Sequence, residues 1–313
     1  MKRLICIGGP TGCGKTDLAI SLAESYKCEI LSFDSRQLYT ELSIGVARPT
    51  DSQLAAVRHH LISSQSIYDH FSVGDFVIEA KRVLGELFKK DDTVVAVGGT
   101  GFYLHKLLSP LDEIPAVPDH VREEIQFEFE VNGLPWLQEF VSTQDPVFYS
   151  MVDVQNHSRL QRAAEVIRST GQPFSQFQKG NYSQHFTDIE VHKFALLPER
   201  TLLYDRINSR VEEMLQAGLE KEARELYKDK GLKALATVGY TELFDYFEGK
   251  TSLGVAIDKI KQHSRNYAKR QYTWFRNQGD WDPIYTTIIE QQTNQIKTKI
   301  HDLEATTESG SSK

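Results

Sequence analysis

A glycine-rich segment near the N-terminus has the spacing of a phosphate-binding loop. It consists of Gly9, Pro10, Thr11, Gly12, Cys13, Gly14, Lys15 and Thr16, and it matches the P-loop pattern G-x-x-x-x-G-K-[ST]. In such a loop backbone N–H groups converge on phosphate oxygens, and the N-terminus of the following helix adds partial positive charge. Lys15 would neutralise the terminal phosphates, and Thr16 would hold a Mg²⁺ ion that bridges them. The pattern predicts a diphosphate or triphosphate ligand without distinguishing the two.

A carboxylate and a hydroxyl follow the next two predicted strands. Asp34 ends the strand predicted over residues 29–33, and a carboxylate beside a P-loop faces the phosphate site. It could ligate Mg²⁺, act as a general base or cap the next turn, and its position alone leaves these roles open. Thr100 lies in Gly98–Tyr103, after a strand predicted over residues 93–97. The glycines there would let a ligand approach the backbone, although a tight strand-to-helix turn explains them equally well.

One stretch near the C-terminus is positively charged, whereas the chain as a whole is negatively charged. Residues 259–276 contain six Lys or Arg side chains and no acidic one, interleaved with Tyr267, Tyr272, Trp274 and Phe275. Such cations follow phosphates, while aromatic rings and Arg planes stack on bases. An amphipathic helix with aromatic residues in the core and a solvated basic face would have the same composition. The stretch is therefore a candidate RNA-binding helix.

Short buried strands alternate with amphipathic helices over the first hundred residues, as in a parallel α/β sheet. The first strand, residues 2–8, precedes the P-loop, and a helix over residues 17–27 follows it. Ser72 and Asp75, a hydroxyl and a carboxylate three residues apart, begin a further helix that we predict to reach Lys90. The candidate chemical groups thus follow the carboxyl ends of strands, which share one edge of a parallel sheet.

The pattern changes after residue 110. From residue 119 to about residue 187, β-branched runs vanish and helix-like segments dominate, which predicts a helical insertion. Residues 193–197 return to the sheet, and long helices follow over residues 202–228 and 253–277. The predicted organisation is a catalytic core over residues 1–117 and 190–305, a helical insertion over residues 118–189, and a disordered tail over residues 306–313.

The composition is that of an ordinary globular chain and excludes several classes of protein. The chain has 313 residues and a formal net charge of −7, which argues against coating nucleic acid or anionic membrane through bulk charge. The sequence has no run near the roughly 18 apolar residues that a membrane span needs, so we expect no membrane partner. The cysteines, Cys6, Cys13 and Cys28, form no disulfide framework and fit a reducing cytoplasm.

Several motifs in a fixed order resemble those of tRNA dimethylallyltransferases. They are GPTGCGKT (9–16), DSRQLYTELSIGVARP (34–49), HHLIS (59–63), FSVGDF (71–76), VVAVGGTGFYL (94–104), SRLQRAAEV (158–166), TVGYTEL (237–243) and AKRQYTWFR (268–276). The P-loop alone is unspecific, whereas the DSRQ-x-Y, GGTGFYL and KRQ-x-TWFR elements together are specific to that family. The resemblance implies a P-loop NTPase-like parallel sheet flanked by helices, with an inserted all-helical domain.

The chain also departs from the family pattern. Where the family usually reads IGTAKP, this chain has Val46 and Arg48, so the threonine hydroxyl is lost. No cysteine follows Cys28, so we expect no C-terminal zinc finger of the kind that eukaryotic relatives often carry. The resemblance is therefore to the bacterial type of enzyme.

Membership of that family would imply a specific reaction. A dimethylallyl group would move from dimethylallyl diphosphate to N6 of the adenosine just 3′ of the anticodon, with Mg²⁺ as the cofactor. The partner would be a tRNA anticodon stem-loop, which the helical insertion would clamp. The enzyme would be a monomer in the cytoplasm. Three alternatives share the P-loop: a small-molecule or nucleotide kinase, a prenyltransferase for free adenine nucleotides, and a non-catalytic RNA-binding NTPase. A kinase would not need the basic aromatic helix, and an enzyme for free nucleotides would not need the insertion.

The resemblance also implies roles for individual residues. Asp34 corresponds to the general base, and Thr100 to a catalytic residue on the diphosphate side. Arg224 would bind the diphosphate together with the P-loop, and Thr16 would ligate Mg²⁺. The residues that correspond to tRNA contacts are Asp34, Ser35, Arg36, Gln37, Thr100, Arg122, Ser158, Arg159, Leu160, Gln161, Arg162, Lys269, Arg270, Gln271, Tyr272, Thr273, Trp274, Phe275 and Arg276.

Overall fold

The chain folds into two compact units. The computed structural model describes residues 2–109, 114–178 and 188–310. One unit is formed by Met1–Leu108 with Phe186–Lys313, and the other by Ser109–His185. Hydrophobic clusters lie inside each unit. Among the described helices, none combines the length and hydropathy that a membrane-spanning segment requires.

A parallel sheet forms the centre of the larger unit. Its strands are β1 (Lys2–Gly8), β2 (Ile30–Ser32), β3 (His59–His60), β4 (Thr93–Gly98), β5 (Ile189–Leu196) and β6 (Asp282–Ile284). Their spatial order is β3-β2-β4-β1-β5-β6, and all the described pairings are parallel. β4 is buried throughout and β1 is buried from Leu4 to Gly8, as expected where helices cover both faces of a parallel sheet. The predicted α/β class is confirmed.

Helices surround this sheet and form the smaller unit. The described helices are α1 (Lys15–Tyr26), α2 (Asp51–Ala56), α3 (Val73–Leu87), α4 (Gly101–Leu108), α5 (Asp119–Gln144), α6 (Pro146–Met151), α7 (His157–Thr170), α8 (Arg200–Gln216), α9 (Leu219–Leu226), α10 (Tyr240–Phe247), α11 (Leu253–Asn277) and α12 (Ile289–Gly310). The predicted helix start at Ser72 is confirmed. The Ser72 hydroxyl accepts from the Asp75 N–H at 3.3 Å, and the Asp75 carboxylate accepts from the Ser72 N–H at 2.8 Å, which forms a capping box.

The register of the central strands brings the sequence motifs to one edge of the sheet. Gly8 at the end of β1 pairs with Gly98 at the end of β4, and Ser32 at the end of β2 pairs with Val97. The P-loop and the two segments that carry the predicted carboxylate and hydroxyl follow these strand ends directly. The carboxyl ends of strands are the usual ligand site of an open α/β sheet.

Some predicted boundaries are corrected. The helix predicted over residues 202–228 is interrupted at Gly218, whose φ of 104° is left-handed, because helices commonly end at such a residue. The tail predicted to be disordered over residues 306–313 instead continues α12 to Gly310, and residues 311–313 lie outside the described part. The short strands β3 and β6 were not predicted, because runs of this length show no periodicity.

The smaller unit begins before the predicted boundary. Its division from the larger unit falls after Leu108 and not after residue 117, because Ile114 and Val117 pack against the core of the smaller unit. At the other end, β5 already begins at Ile189, inside the predicted insertion. The described residues of this unit form α5, α6, α7 and one 3₁₀ turn, with no strand among them.

A buried carboxylate connects two elements of the smaller unit. Asp145 precedes α6 and is 1% exposed. One of its oxygens accepts hydrogen bonds from the Phe148 N–H at 3.0 Å and the Ser175 hydroxyl at 2.8 Å, and the other accepts from the Ser175 N–H at 2.7 Å. Asp145 therefore caps α6 and connects it to the 3₁₀ turn Phe174–Phe177.

We expect Asp145→Ala to lower the free energy of unfolding by about 2–3 kcal/mol, because it leaves buried N–H donors without a partner. Asp153→Ala is the matched control, since Asp153 is exposed and accepts from the Gln155 N–H. We expect this control to lose about 0.5 kcal/mol or less. Urea denaturation followed by circular dichroism measures both variants. Equal losses would show that the Asp145 contacts do not stabilise the fold.

Candidate functional site

A cavity of about 1270 Å³ opens where the central strands end. It is lined by most of the P-loop, by the segment Asp34–Gln37, by the loop Ser43–Pro49, and by side chains of α8 and α11. These elements all belong to the larger unit. Motifs that are far apart in the sequence therefore meet in one cavity.

The P-loop leads directly into the N-terminus of α1. Gly14, the residue before the helix, has a φ of 92°, a left-handed conformation that glycine adopts without strain. The Lys15 ammonium lies across the loop and donates to the Pro10 carbonyl at 2.8 Å. Burial raises the pKa of the Cys13 thiol, an effect that the Lys15 charge only partly offsets, so Cys13 is a neutral packing group. An arrangement of this kind, with backbone N–H groups at a helix N-terminus and one cation, suits an anion.

Gln271 of α11 bridges the P-loop and the glycine segment that follows β4. Its Oε1 accepts from the Thr11 N–H at 2.9 Å, and its Nε2 donates to the Gly99 carbonyl at 2.8 Å. The residue is 7% exposed. Both ends of the amide are thus used inside the protein, although Gln271 also lines the cavity. Its predicted contact with tRNA stays a prediction.

Asp34 lies in the turn after β2 and lines the cavity. Its Oδ1 accepts from the Arg36 N–H at 3.0 Å. Its Oδ2 faces Gly99, 3.4 Å from the position that a Cβ would take there. The Thr100 hydroxyl accepts from the Ser35 N–H at 3.0 Å and donates to the Ser35 hydroxyl at 3.1 Å. Thr100 therefore holds the backbone next to Asp34 without itself lining the cavity.

Two tyrosines share the surroundings of Asp34. Burial, with the Asp34 carboxylate as the next cause, raises the pKa of Tyr267 to about 12. Burial, with smaller contributions from Tyr39 and Asp34, raises the pKa of Tyr103 to about 12, an effect that the Arg36 charge partly offsets. Both phenols are therefore protonated at neutral pH and cannot accept a proton as bases. Asp34 remains the candidate base among these three groups, because it is a carboxylate that lines the cavity.

Arg210 is a functional candidate that the sequence reasoning missed. It lies on α8 and lines the cavity, and it is close enough to the P-loop for its charge to lower the pKa of Cys13. A second cation thus stands beside Lys15 at the predicted phosphate site. The sequence signal was weak, because Arg210 is one of several arginines in a long helical pattern.

Arg224, the predicted diphosphate ligand, is elsewhere. It is exposed on α9, where it donates to Glu220 at 2.8 Å and lies 4.1 Å from the centre of the Phe247 ring. It is not among the residues that line the cavity. The structure places Arg224 away from the cavity, because α8 ends at Gln216 and Arg224 does not continue this cavity-facing helix. Arg210 is the candidate cation in its place.

The predicted tRNA contacts on α11 differ in accessibility. Lys269, Arg270, Thr273 and Arg276 are exposed, and Tyr272 and Trp274 are half-buried. Phe275 is 2% exposed and packs 4.9 Å from the Trp281 ring, so its predicted RNA contact is corrected to a core position. Lys269, Arg270, Thr273 and Trp274 border an open cleft of about 500 Å³.

The candidates on the other segments are divided in the same way. In the smaller unit Ser158 and Arg159 are exposed, whereas Leu160 is fully buried and its predicted RNA contact is corrected. The other three candidates contact polar neighbours within that unit. Gln161 donates a hydrogen bond to Gln126 at 2.6 Å, Arg162 forms an ion pair with Glu165 at 3.2 Å, and Arg122 forms one with Asp119 at 3.3 Å. In the larger unit Arg36 and Gln37 line the cavity. Arg36 also donates to the Ala234 carbonyl at 3.1 Å, and Gln37 to the Ala47 carbonyl at 2.9 Å.

The residues beside the P-loop fit a magnesium ion that is shared with phosphates. Thr16, in the first turn of α1, lines the cavity. In phosphate sites Mg²⁺ takes one or two protein oxygens and completes its shell with phosphate oxygens and water. Within the described residues, no cluster of three or more His, Cys, Asp or Glu could form an all-protein metal site. A site in which Thr16 shares the ion with ligand phosphates is compatible with these side chains.

We expect Gln271→Leu to weaken the binding of inorganic pyrophosphate by about tenfold, because the P-loop loses its bridge and two buried backbone groups lose their partner. Gln262→Leu, an exposed position on the same helix, serves as the control and should bind normally. Isothermal titration calorimetry with Mg²⁺ present measures both variants. Normal binding by the Gln271 variant would contradict a role for the bridge in shaping the P-loop.

Comparison with known proteins assigns the chain to a family. The sequence model of the family described as IPP transferase matches residues 37–278. A tRNA dimethylallyltransferase of Christiangramia forsetii is 46% identical over 274 residues, covering 87% of this chain and 90% of that relative. A tRNA dimethylallyltransferase of Flavobacterium psychrophilum is 42% identical over 283 residues, covering 88% of this chain and 91% of that relative.

A solved structure agrees with this assignment. The full-length tRNA isopentenylpyrophosphate transferase of Bacillus halodurans superposes with a TM-score of 0.69 at 33% identity, and the match covers 98% of this chain and 100% of that one. The agreement extends over both compact units, because nearly the whole of each chain is included. The chain belongs to the IPP transferase family.

Proposed function

We propose that this protein transfers a dimethylallyl group from dimethylallyl diphosphate to N6 of the adenosine just 3′ of the anticodon in tRNA. The observation that carries the proposal is the presence of the P-loop and the Asp34 carboxylate in one cavity. A donor that ends in a diphosphate needs the P-loop, and an acceptor that must lose a proton needs the carboxylate. Relatives named tRNA dimethylallyltransferase support this choice of donor and acceptor.

The donor would bind by its diphosphate. Backbone N–H groups of the P-loop, Lys15 and Arg210 surround the position where the phosphates would lie. When the allylic C–O bond breaks, its electron pair stays on the diphosphate, and these fixed charges stabilise the leaving group. Mg²⁺ held by Thr16 and the phosphates would add positive charge at the same place.

The acceptor amine would be activated by Asp34 acting as a base. The lone pair of the adenine amine is delocalised into the ring, so N6 is a poor nucleophile. As N6 forms its bond to the allylic carbon, its proton would pass to Oδ2 of Asp34, the oxygen on the Gly99 side. General-base assistance of this kind is worth roughly 10²–10⁴ in rate. Thr100 would contribute by holding the adjacent Ser35 backbone.

The target adenine would have to leave the base stack of the RNA loop to reach the cavity. Extruding a stacked nucleotide costs a few kcal/mol, and contacts to loop bases and phosphates must offset that cost. The exposed Lys269 and Arg270 of α11 supply cations beside an open cleft, and Arg276 is a further exposed cation on the same helix. We include the anticodon stem-loop as the bound RNA and a monomer as the active form in the proposal.

We expect Asp34→Asn to lower kcat by roughly 10²–10⁴ while tRNA affinity changes by less than about threefold. The measurement is single-turnover transfer to a synthetic anticodon stem-loop with Mg²⁺, read as the mass gain of one dimethylallyl group. Asp51→Asn, a second carboxylate that lines the cavity, is the matched control and should keep most of the activity. Normal chemistry with a large loss of RNA binding would reject the base role. Phosphate transfer from ATP would favour a kinase.

We expect Arg210→Met to weaken the binding of dimethylallyl diphosphate by about tenfold to a hundredfold, because a charge-assisted contact to phosphate is lost. Arg224→Met should change that affinity by less than about twofold, since the Arg224 guanidinium contacts Glu220 and exposed pairs of this kind contribute little. Calorimetric titration of both variants provides the comparison. The opposite ranking would restore the assignment made from the sequence.

A further inference from the structure

One side of the cavity is an irregular loop that itself contains no strand or helix. All residues of the loop Ser43–Pro49, here called the wall loop, line the cavity. Ala47 within it has a φ of 50°, which is uncommon for a residue with a side chain. The position of the wall loop must therefore come from contacts with other elements.

Glu222 of α9 supplies the strongest of these contacts. Its Oε2 accepts from the Ile44 N–H at 2.8 Å, and its Oε1 accepts from the Gly45 N–H at 2.9 Å and from the Tyr240 hydroxyl at 2.7 Å. One carboxylate thus pairs with two consecutive backbone donors of the wall loop. Hydrogen bonds to a charged acceptor are about twice as strong as neutral ones. Glu222 is not itself among the residues that line the cavity.

Tyr240 contacts both Glu222 and the backbone of the wall loop. A Cβ on Gly45 would lie 2.5 Å from the Tyr240 ring, so the backbone of the wall loop rests directly on the ring. Tyr240 is fully buried, and burial, followed by the charge of Glu222, raises its pKa far above neutrality. The hydroxyl therefore remains a donor to Glu222.

The other end of the wall loop is attached to the catalytic segment. The Gln37 Nε2 donates to the Ala47 carbonyl at 2.9 Å, and Gln37 follows Asp34 by three residues. Arg48 donates to the Ser63 hydroxyl at 2.8 Å. A displacement of the wall loop at Glu222 would thus extend toward the segment that carries the proposed base.

The wall loop gives the cavity an apolar side. Ile44 and Val46 pack against the same hydrophobic cluster as Met214 and Val238, and these four residues also line the cavity. The P-loop, Lys15 and Asp34 lie among the polar lining. Val46, which stands where the family pattern has threonine, increases the apolar character of this side. A five-carbon hydrocarbon tail suits this side, and a phosphate or a ribose does not.

We propose that Glu222 is a positioning residue that holds the wall loop against the hydrocarbon tail of the prenyl donor and so excludes water from the allylic carbon. This inference rests on the proposed function, because it concerns the same cavity and the same donor. The competing reaction is explicit: a water oxygen bonds to the allylic carbon, the C–O bond to diphosphate breaks, and the water proton is released. The products would be dimethylallyl alcohol and diphosphate.

The test compares two ligands and two products on the same protein. Glu222→Gln makes one contact repulsive, because its amide N–H₂ faces an N–H or O–H donor. We expect the affinity for dimethylallyl diphosphate to fall about tenfold while the affinity for inorganic pyrophosphate stays within about twofold. With an anticodon stem-loop present, the ratio of alcohol to modified RNA should rise about tenfold or more. Both readouts are ratios, so a partly unfolded preparation does not change them.

Controls separate positioning from stability. Glu225→Gln changes an exposed carboxylate on the same helix and should behave as the unmodified chain. Tyr240→Phe removes one of the three contacts and should give a smaller change in the same direction, and it tests the inference if the Glu222 variant does not fold. Parallel loss of both affinities, or an unchanged product ratio, would overturn the inference. If the unmodified chain produced no prenylated RNA, the proposed function itself would fail and the inference with it.

Discussion

The pairing of Gly8 with Gly98 across the two central strands is the constraint on which the site depends. It places the P-loop beside the glycine segment after β4, and the neighbouring β2 adds Asp34 at the same edge. Gln271 then connects the two loops through one buried amide. A shift of register by a single residue would turn the side chains of one strand to the other face and separate these groups. The pairing of the strand backbones therefore determines where the side chains of the site lie.

The cavity has two kinds of wall with different supports. Its polar side is built from the helix N-terminus at α1, Lys15 and Arg210, and is held by the sheet and by Gln271. Its apolar side is the wall loop, which is held by Glu222 and Tyr240. A prenyl diphosphate has the same division between a charged head and a hydrocarbon tail. The proposed donor would therefore find a matching surface for its hydrocarbon tail as well as for its phosphates.

Much of the fold and part of the site could be predicted from the sequence. The P-loop, the central strands and the helix α11 have strong local patterns, because glycine spacing and buried runs are properties of short segments. Arg210 could not be distinguished from Arg224 in this way, since only the break between α8 and α9 at residues 217–218 decides which arginine faces the cavity. The buried positions of Leu160, Gln271 and Phe275 depend on tertiary packing, which a motif does not describe. Glu222 has no motif at all, because its role exists only through contacts with residues 44 and 45.

The most direct test of the central claim is a crystal structure with an unreactive thio analogue of dimethylallyl diphosphate and an anticodon stem-loop. We expect the diphosphate to lie on the P-loop amides, the hydrocarbon tail to lie along the wall loop, and adenine N6 to lie at about 2.6–3.2 Å from an Asp34 oxygen, the distance that proton transfer requires. A purine nucleotide on the P-loop, or an acceptor base out of reach of Asp34, would contradict the account.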